Sequence, residues 1–207
     1  MYNIYMISNN KLPASLRKKA SKGPFRASDA EAVGISRMAL VRWVEQGKLE
    51  RISRGLYSLP DVAITGKESL LEIAIKAPNA VFCLLTALEF HGATTHLHPA
   101  IWIAIKQGEW KPRGMSVDLQ VVRFSGRAFS EGVEKHNIKG VQISVYNLAK
   151  TIADCFRYRN KIGSDVAVEA LRESLRSKKV KPTEIRKYAE LRGVTKSIGP
   201  YLEAFLG

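Results

Sequence analysis

Cysteine is scarce in this 207-residue chain: there are two, Cys83 and Cys155, both inside apolar stretches. Two thiols make no disulfide framework, and buried free thiols suit a reducing compartment, so a cytoplasmic protein is expected. No apolar run approaches the roughly 20 residues of a membrane-spanning helix. The opening MYNIYMISNN has no basic start, no long apolar core and no small-residue cleavage site, so it does not read as a signal peptide and no membrane partner is expected. There is no glycine-rich phosphate loop, no nucleophile motif and no cluster of carboxylates of the kind a metal-dependent nuclease needs. His96 and His98 are close, with His91 upstream, but no cysteine or carboxylate cluster completes a metal shell around them. Asp154 and Glu89 sit among apolar neighbours and read as structural carboxylates rather than bases. No catalytic residue, metal ligand or cofactor is expected.

Negative charge is also in short supply. The chain carries 33 Lys and Arg against 19 Asp and Glu, a net charge of +14 and a pI near 9.9. Such an excess points to a polyanionic partner more than to any fold. It is unevenly spread: residues 1–62 and 157–207 each hold a net +6, and the residues between them only +2. A uniformly solubilised surface would not concentrate its cations at both ends.

The most informative stretch is 25–60, FRASDAEAVGISRMALVRWVEQGKLERISRGLYSLP. Ser28 is positioned to cap a short helix over 29–33, and Gly34 breaks it as a residue needing positive φ would. Ser36 is a second N-cap, opening a helix over 37–46. In that helix Leu40, Val41 and Val44, extended by Trp43, form the expected inner side, leaving Arg37, Met38, Arg42 and Glu45 to other faces. Two helices joined by a short glycine-containing turn have helix-turn-helix spacing. Two β-leaning runs then flank Ser53-Arg54-Gly55, a hairpin signal. Helix-turn-helix followed by a basic hairpin is a winged helix. Ser36, Arg37 and Arg42 on the second helix, Lys48 after it, and Arg51 and Arg54 in the wing are the candidate DNA contacts. A first helix is expected over 13–20, with Leu12 and Leu16 facing inward.

The remainder reads as a second, mixed domain, with the boundary near residue 64. Helices are expected over 68–76 and 81–90, and strands over 101–105, 117–124, 133–138 and 141–145. Further helices are expected over 146–158, 165–178 (capped by Ser164), 183–191 and 197–205. The fold class is therefore α+β: an N-terminal winged helix-turn-helix domain followed by a mixed α/β domain that ends in helices. The final helices carry more cations than dipole capping requires. Arg172, Arg176, Lys178, Lys179, Arg186 and Lys187 are candidates for a surface that meets either DNA backbone or a protein partner.

The segments ISRMALVRWVEQGKLERISRGLYSLP, VQISVYNLAKTIADCFRYRNKIG and VAVEALRESLRS resemble the AbiEi family, the antitoxins of type IV abortive-infection systems. The resemblance runs over about residues 12–207 and leaves the tyrosine-rich start outside it. It implies a regulator whose residues 1–64 bind promoter DNA at inverted repeats and repress their own operon. It implies that residues 65–207 counter a cognate nucleotidyltransferase-like toxin in phage defence. Ser36, Arg37 and Arg42 fall on the family's recognition helix, and Arg51 and Arg54 on its wing. One winged domain reads few base pairs, so a chain that is monomeric in solution would pair on a repeated site. Two other readings stay open: a solitary winged regulator with an effector-binding C-terminal domain, and a nuclease delivered by its winged domain.

Overall fold

The computed structural model describes residues 12–60, 68–95 and 98–206. The expected N-terminal arm, the whole of the expected linker over 61–67 and His96 of the histidine pair lie outside the described residues. The chain divides into two compact units, Met1–Glu72 with Ile138–Val141, and Ile73–Asn137 with Gln142–Gly207.

In the first unit, α1 (Ala14–Ala20) sets Leu16 and Ala20 one turn apart, and both are fully buried. β1 (Phe25–Arg26) is a two-residue strand running straight into α2 (Ala27–Glu31). Ser28 lies inside α2 rather than at its cap. The capping carboxylate is Asp29, which accepts the Arg26 backbone N–H at 2.9 Å. A turn with Gly34 at φ +80° leads to α3 (Arg37–Glu45), whose Ser36 N-cap accepts the Ala39 N–H at 3.3 Å. β2 (Glu50–Ser53) and β3 (Leu56–Ser58) follow as an antiparallel hairpin, turning through Arg54 and Gly55 with Gly55 at φ +77°. β1 pairs with the other edge of β3, giving a three-stranded sheet in the order β1-β3-β2. A single core joins helices and sheet: Leu16, Phe25, Ile35, Leu40, Trp43 and Leu49 are all buried in it. Phe25 and Tyr57 stack across the β1–β3 pair with ring centroids 6.1 Å apart. This is a winged helix-turn-helix.

After α4 (Glu68–Lys76), the second unit builds on a five-stranded sheet. Its strands and early helices are, in chain order, β4 (Val81–Phe82), α5 (Leu84–Phe90), β5 (Ile101–Lys106), β6 (Leu119–Phe124), α6 (Gly126–Ser130), β7 (Val133–Ile138) and β8 (Val141–Tyr146). The sheet order is β6-β5-β4-β8-β7, with β4 antiparallel to β5 and parallel to β8. The expected helix over 81–90 is thus a two-residue central strand followed by a shorter helix. Val81 and Phe82 fill the slot beside Ile103 and Ala104, where a buried apolar run without alternation fits as well as a helix would.

The chain then turns helical: α7 (Leu148–Arg157), α8 (Arg159–Ile162), α9 (Ser164–Arg176), α10 (Pro182–Arg192) and α11 (Thr195–Leu206). Ser164 is the first residue of α9 and makes no capping bond; Gly163 occupies the cap. α7 is the hub of this unit. Every residue from Leu148 to Phe156 is buried, and α5, α9 and α10 pack around it. Asn147 caps α7 by accepting the Lys150 N–H at 2.9 Å, while its amide donates to the Tyr188 hydroxyl of α10 at 3.0 Å. Gly132 is required here, because a Cβ would sit 2.8 Å from the Lys150 side chain.

Candidate nucleic-acid interface

α3 is held by Leu40, fully buried, and by Trp43, 7% exposed, three residues on. Leu40 and Trp43 point inward, so a 100° step per residue sends Arg37, Met38, Val41, Arg42 and Glu45 outward. All five are exposed. Met38 and Val41 are 74% and 46% exposed, the larger value among the highest of any big apolar side chain in the described residues. Val41 therefore leaves the inner side expected for it, and Val44 is only half-buried. The outer face of α3 mixes two arginines with two solvated apolar side chains. A helix offering both guanidinium forks and methyl groups can meet guanine edges and thymine methyls in a major groove.

The cations on this unit differ in how free they are. Arg37 donates from Nε to Glu31 of α2 at 2.7 Å, and that hydrogen bond pushes the guanidinium pKa further up. Its position is thereby tied to the preceding helix. Arg42 and Arg54 are exposed and form no ion pair with any described residue. Lys48 is half-buried in the link between α3 and β2. Arg51 in β2 donates to the Ser53 carbonyl at 3.4 Å, beside the bulge that shifts the register between Arg51 and Ser53. Arg54 occupies the hairpin turn next to Gly55, whose carbonyl accepts the Ala27 N–H of α2 at 2.8 Å. Lys19 of α1 is already engaged, with Asp29 at 2.8 Å. Ser36, Arg37, Arg42, Lys48, Arg51 and Arg54 all belong to this one unit, on α3, on the link after it and on the wing.

The six C-terminal candidates divide into two groups. Lys179 and Lys187 line a polar hollow of about 420 Å³ in the second unit, with His91, Glu134, Glu184 and Tyr188. There the Lys179 ammonium is committed, donating to the His91 and Gly92 carbonyls at 3.0 and 2.7 Å. Arg172, Arg176 and Lys178 instead border a separate groove between the end of α9, the start of α10 and the end of α11. Arg186 lines neither and is solvent-exposed. Sequence reading missed the apolar members of both surfaces. Met38 and Val41 could have been found by phasing the helix on Leu40 and Trp43. Phe205 and Leu175 could not, because only the packing of three helices brings them together.

Residues 16–60, from within α1 to just past β3, match the family described as transcriptional regulator, AbiEi antitoxin. No curated protein matches the chain. Among solved structures, the chain is similar to the crystal structure of the RV2827C protein from Mycobacterium tuberculosis, at 14% identity and a TM-score of 0.52. That alignment covers 95% of this chain and 82% of the other. It is a likeness of fold across both units. Among the described residues, no helix is long and apolar enough to cross a membrane.

Proposed function

We propose, from the match over residues 16–60, that this protein is a DNA-binding autorepressor and antitoxin of the abortive-infection type. Residues 1–64 form the operator-binding domain. Residues 65–207 counter a cognate nucleotidyltransferase-like toxin, in the cytoplasm and without catalysis of their own. The chain is monomeric in solution and pairs on inverted repeats in its own promoter.

One observation carries the DNA-binding half of this reading: the outer face of α3 presents Arg42 with no carboxylate partner among the described residues, beside exposed Met38 and Val41. Ser36 and Arg37 sit at the leading end of that helix, where the dipole and the free N–H groups favour a phosphate. Arg51 and Arg54 on the wing, with Lys48, take the adjoining backbone. The test is a gel-shift or anisotropy titration of the full chain against its own upstream promoter fragment at low ionic strength. Saturable binding that a shuffled fragment does not reproduce supports the proposal, and indifference to the promoter ends it.

A second reading has one feature in its favour, the 420 Å³ hollow with His91, Lys179 and Lys187. A solitary winged regulator would use such a hollow for a small polar effector, since Glu134 and Glu184 line it together with the cations. Promoter binding that changes when the neighbouring toxin gene is absent from the genome and a metabolite is supplied would favour it over the antitoxin.

A further inference from the structure

The groove between α9, α10 and α11 combines features that neither DNA binding nor solvation accounts for. Its floor is apolar: Leu175 at the end of α9, Val180 and Pro182 leading into α10, and Phe205 and Leu206 at the end of α11. Leu206 is 49% exposed and Leu175, Pro182 and Phe205 are half-buried, while Val180 is buried, so the outer part of this floor is left to water in the isolated chain. Its charged lining residues are Arg172, Arg176, Lys178 and Lys181, of which Arg176 is already paired with Glu173 beside the groove. The volume is about 600 Å³, larger than that of the polar hollow.

Two of the cations are held in place. The Arg172 guanidinium lies 5.5 Å from the Phe205 ring centroid, and Arg176 donates twice to Glu173, at 2.6 and 3.2 Å. Lys178 shows a further peculiarity. It follows the last turn of α9 with φ +54°, in the left-handed region where glycine is the usual residue. Its N–H bonds the Leu175 carbonyl, and the next N–H bonds that of Ser174, closing the helix end. A lysine in that position strains the backbone, and what it adds over glycine is a cation at the groove's edge.

We infer that this groove receives an acidic amphipathic helix of a partner protein, its apolar edge on the Leu175–Phe205 floor and its carboxylates against the cationic rim. Charge complementarity sets the sign of the occupant. The floor sets its class, because a duplex backbone offers phosphates but no apolar surface to cover Leu175, Pro182, Phe205 and Leu206, which are left partly or largely exposed. Helix-in-groove recognition uses this combination, apolar anchors at i, i+3, i+4 and i+7 with polar flanks. The inference is independent of the winged unit and holds whatever DNA that unit reads.

The probe is a fluorescein-labelled helical peptide of about 16 residues, with Leu at those anchor positions and Glu on the other faces. It is titrated into the full chain and followed by anisotropy. Saturable binding is expected, weakened at least about tenfold by Arg172→Gln with Arg176→Gln, and likewise by Leu175→Asp. Lys178→Gly guards against misfolding as an explanation: it relieves the strained φ, so the variant should melt no lower than the parent while binding the peptide several-fold more weakly. The inference is overturned if a scrambled peptide of the same composition binds equally. It is also overturned if the variants bind as the parent does. Displacement of the peptide by duplex DNA or by phosphatidylglycerol vesicles, in a manner dependent on Arg172 and Arg176, would assign the groove to those ligands instead.

Discussion

Lys150 donates from Nζ to Asp154 Oδ2 at 2.6 Å, one helical turn along α7, with both side chains wholly withdrawn from solvent. The other carboxylate oxygen accepts from Nε of Arg192 on α10. The Lys150 ammonium also stands 3.4 Å from the Tyr146 ring centroid and 4.7 Å from that of Phe124. Burial lowers the Lys150 pKa, and the Asp154 charge opposes that drop. One carboxylate thus serves two cations. Asp154→Ala strands both and should cost about 3–5 kcal/mol in urea unfolding. Lys150→Met should cost less, because the Asp154–Arg192 pair survives it. Equal losses from the two variants would contradict this sharing.

The two buried thiols make an alkaline prediction. Burial, with a smaller contribution from the Asp154 charge, pushes both Cys83 and Cys155 well above their ordinary pKa. In the unfolded chain they ionise near about pH 8.5, while the folded chain keeps their protons. Their contribution is therefore complete below about pH 8.5 and is lost as pH climbs from there towards the raised folded values, at up to about 1.4 kcal/mol per pH unit per thiol. Lys150 works in the opposite sense, since its folded pKa is lowered, but it is common to both proteins compared. Between about pH 8.5 and 10, Cys83→Ala with Cys155→Ala should flatten the fall in stability seen in the parent. Parallel slopes would show that the thiols are not protected.

On promoter DNA, Arg42→Ala should relax base preference by about 1–3 kcal/mol if it reads a guanine. Arg54→Ala should weaken binding to all sequences alike and reduce the salt dependence. Binding by the parent should itself fall by orders of magnitude between about 50 and 200 mM salt. Competition titrations against shuffled duplexes separate the two variants.

Met38 and Val41 offer a finer check on the same face. A promoter fragment made with deoxyuridine in place of thymidine loses only the major-groove methyl groups. If Met38 or Val41 covers a methyl, the parent should bind the uracil fragment more weakly by about 1 kcal/mol per methyl contacted. A Met38→Ala, Val41→Ala variant should bind the thymine fragment more weakly yet show no further loss with uracil. A methyl dependence that persists in the variant would place the contact elsewhere.

Much of this was legible in the sequence, for identifiable reasons. Ser36, Gly34 and the Ser53-Arg54-Gly55 turn are local signals, and each fixes its element without help from distant residues. The winged fold followed from them, and the family match falls on the same stretch. Val81–Phe82 could not be read as a strand, because its assignment depends on partners at 103–104 and 145. β1 is two residues long and exists only because β3 has an edge to offer it. The basic tail could be counted but not sorted: its division into a groove rim, a polar hollow and a solvated remainder is a consequence of helix packing. Fold class thus rested on local chemistry, while the surfaces rested on which helices meet.

The bond from the Ala27 N–H to the Gly55 carbonyl has one more consequence. A two-stranded ribbon on its own is only marginally ordered in water. Here the hinge end and the tip are both fastened, the one by the chain and the other by the start of α2, so the ribbon cannot swing as a flap. The backbone carrying Arg54 is thereby held, so what Arg54 would surrender in any contact is the freedom of its side chain and not that of the ribbon.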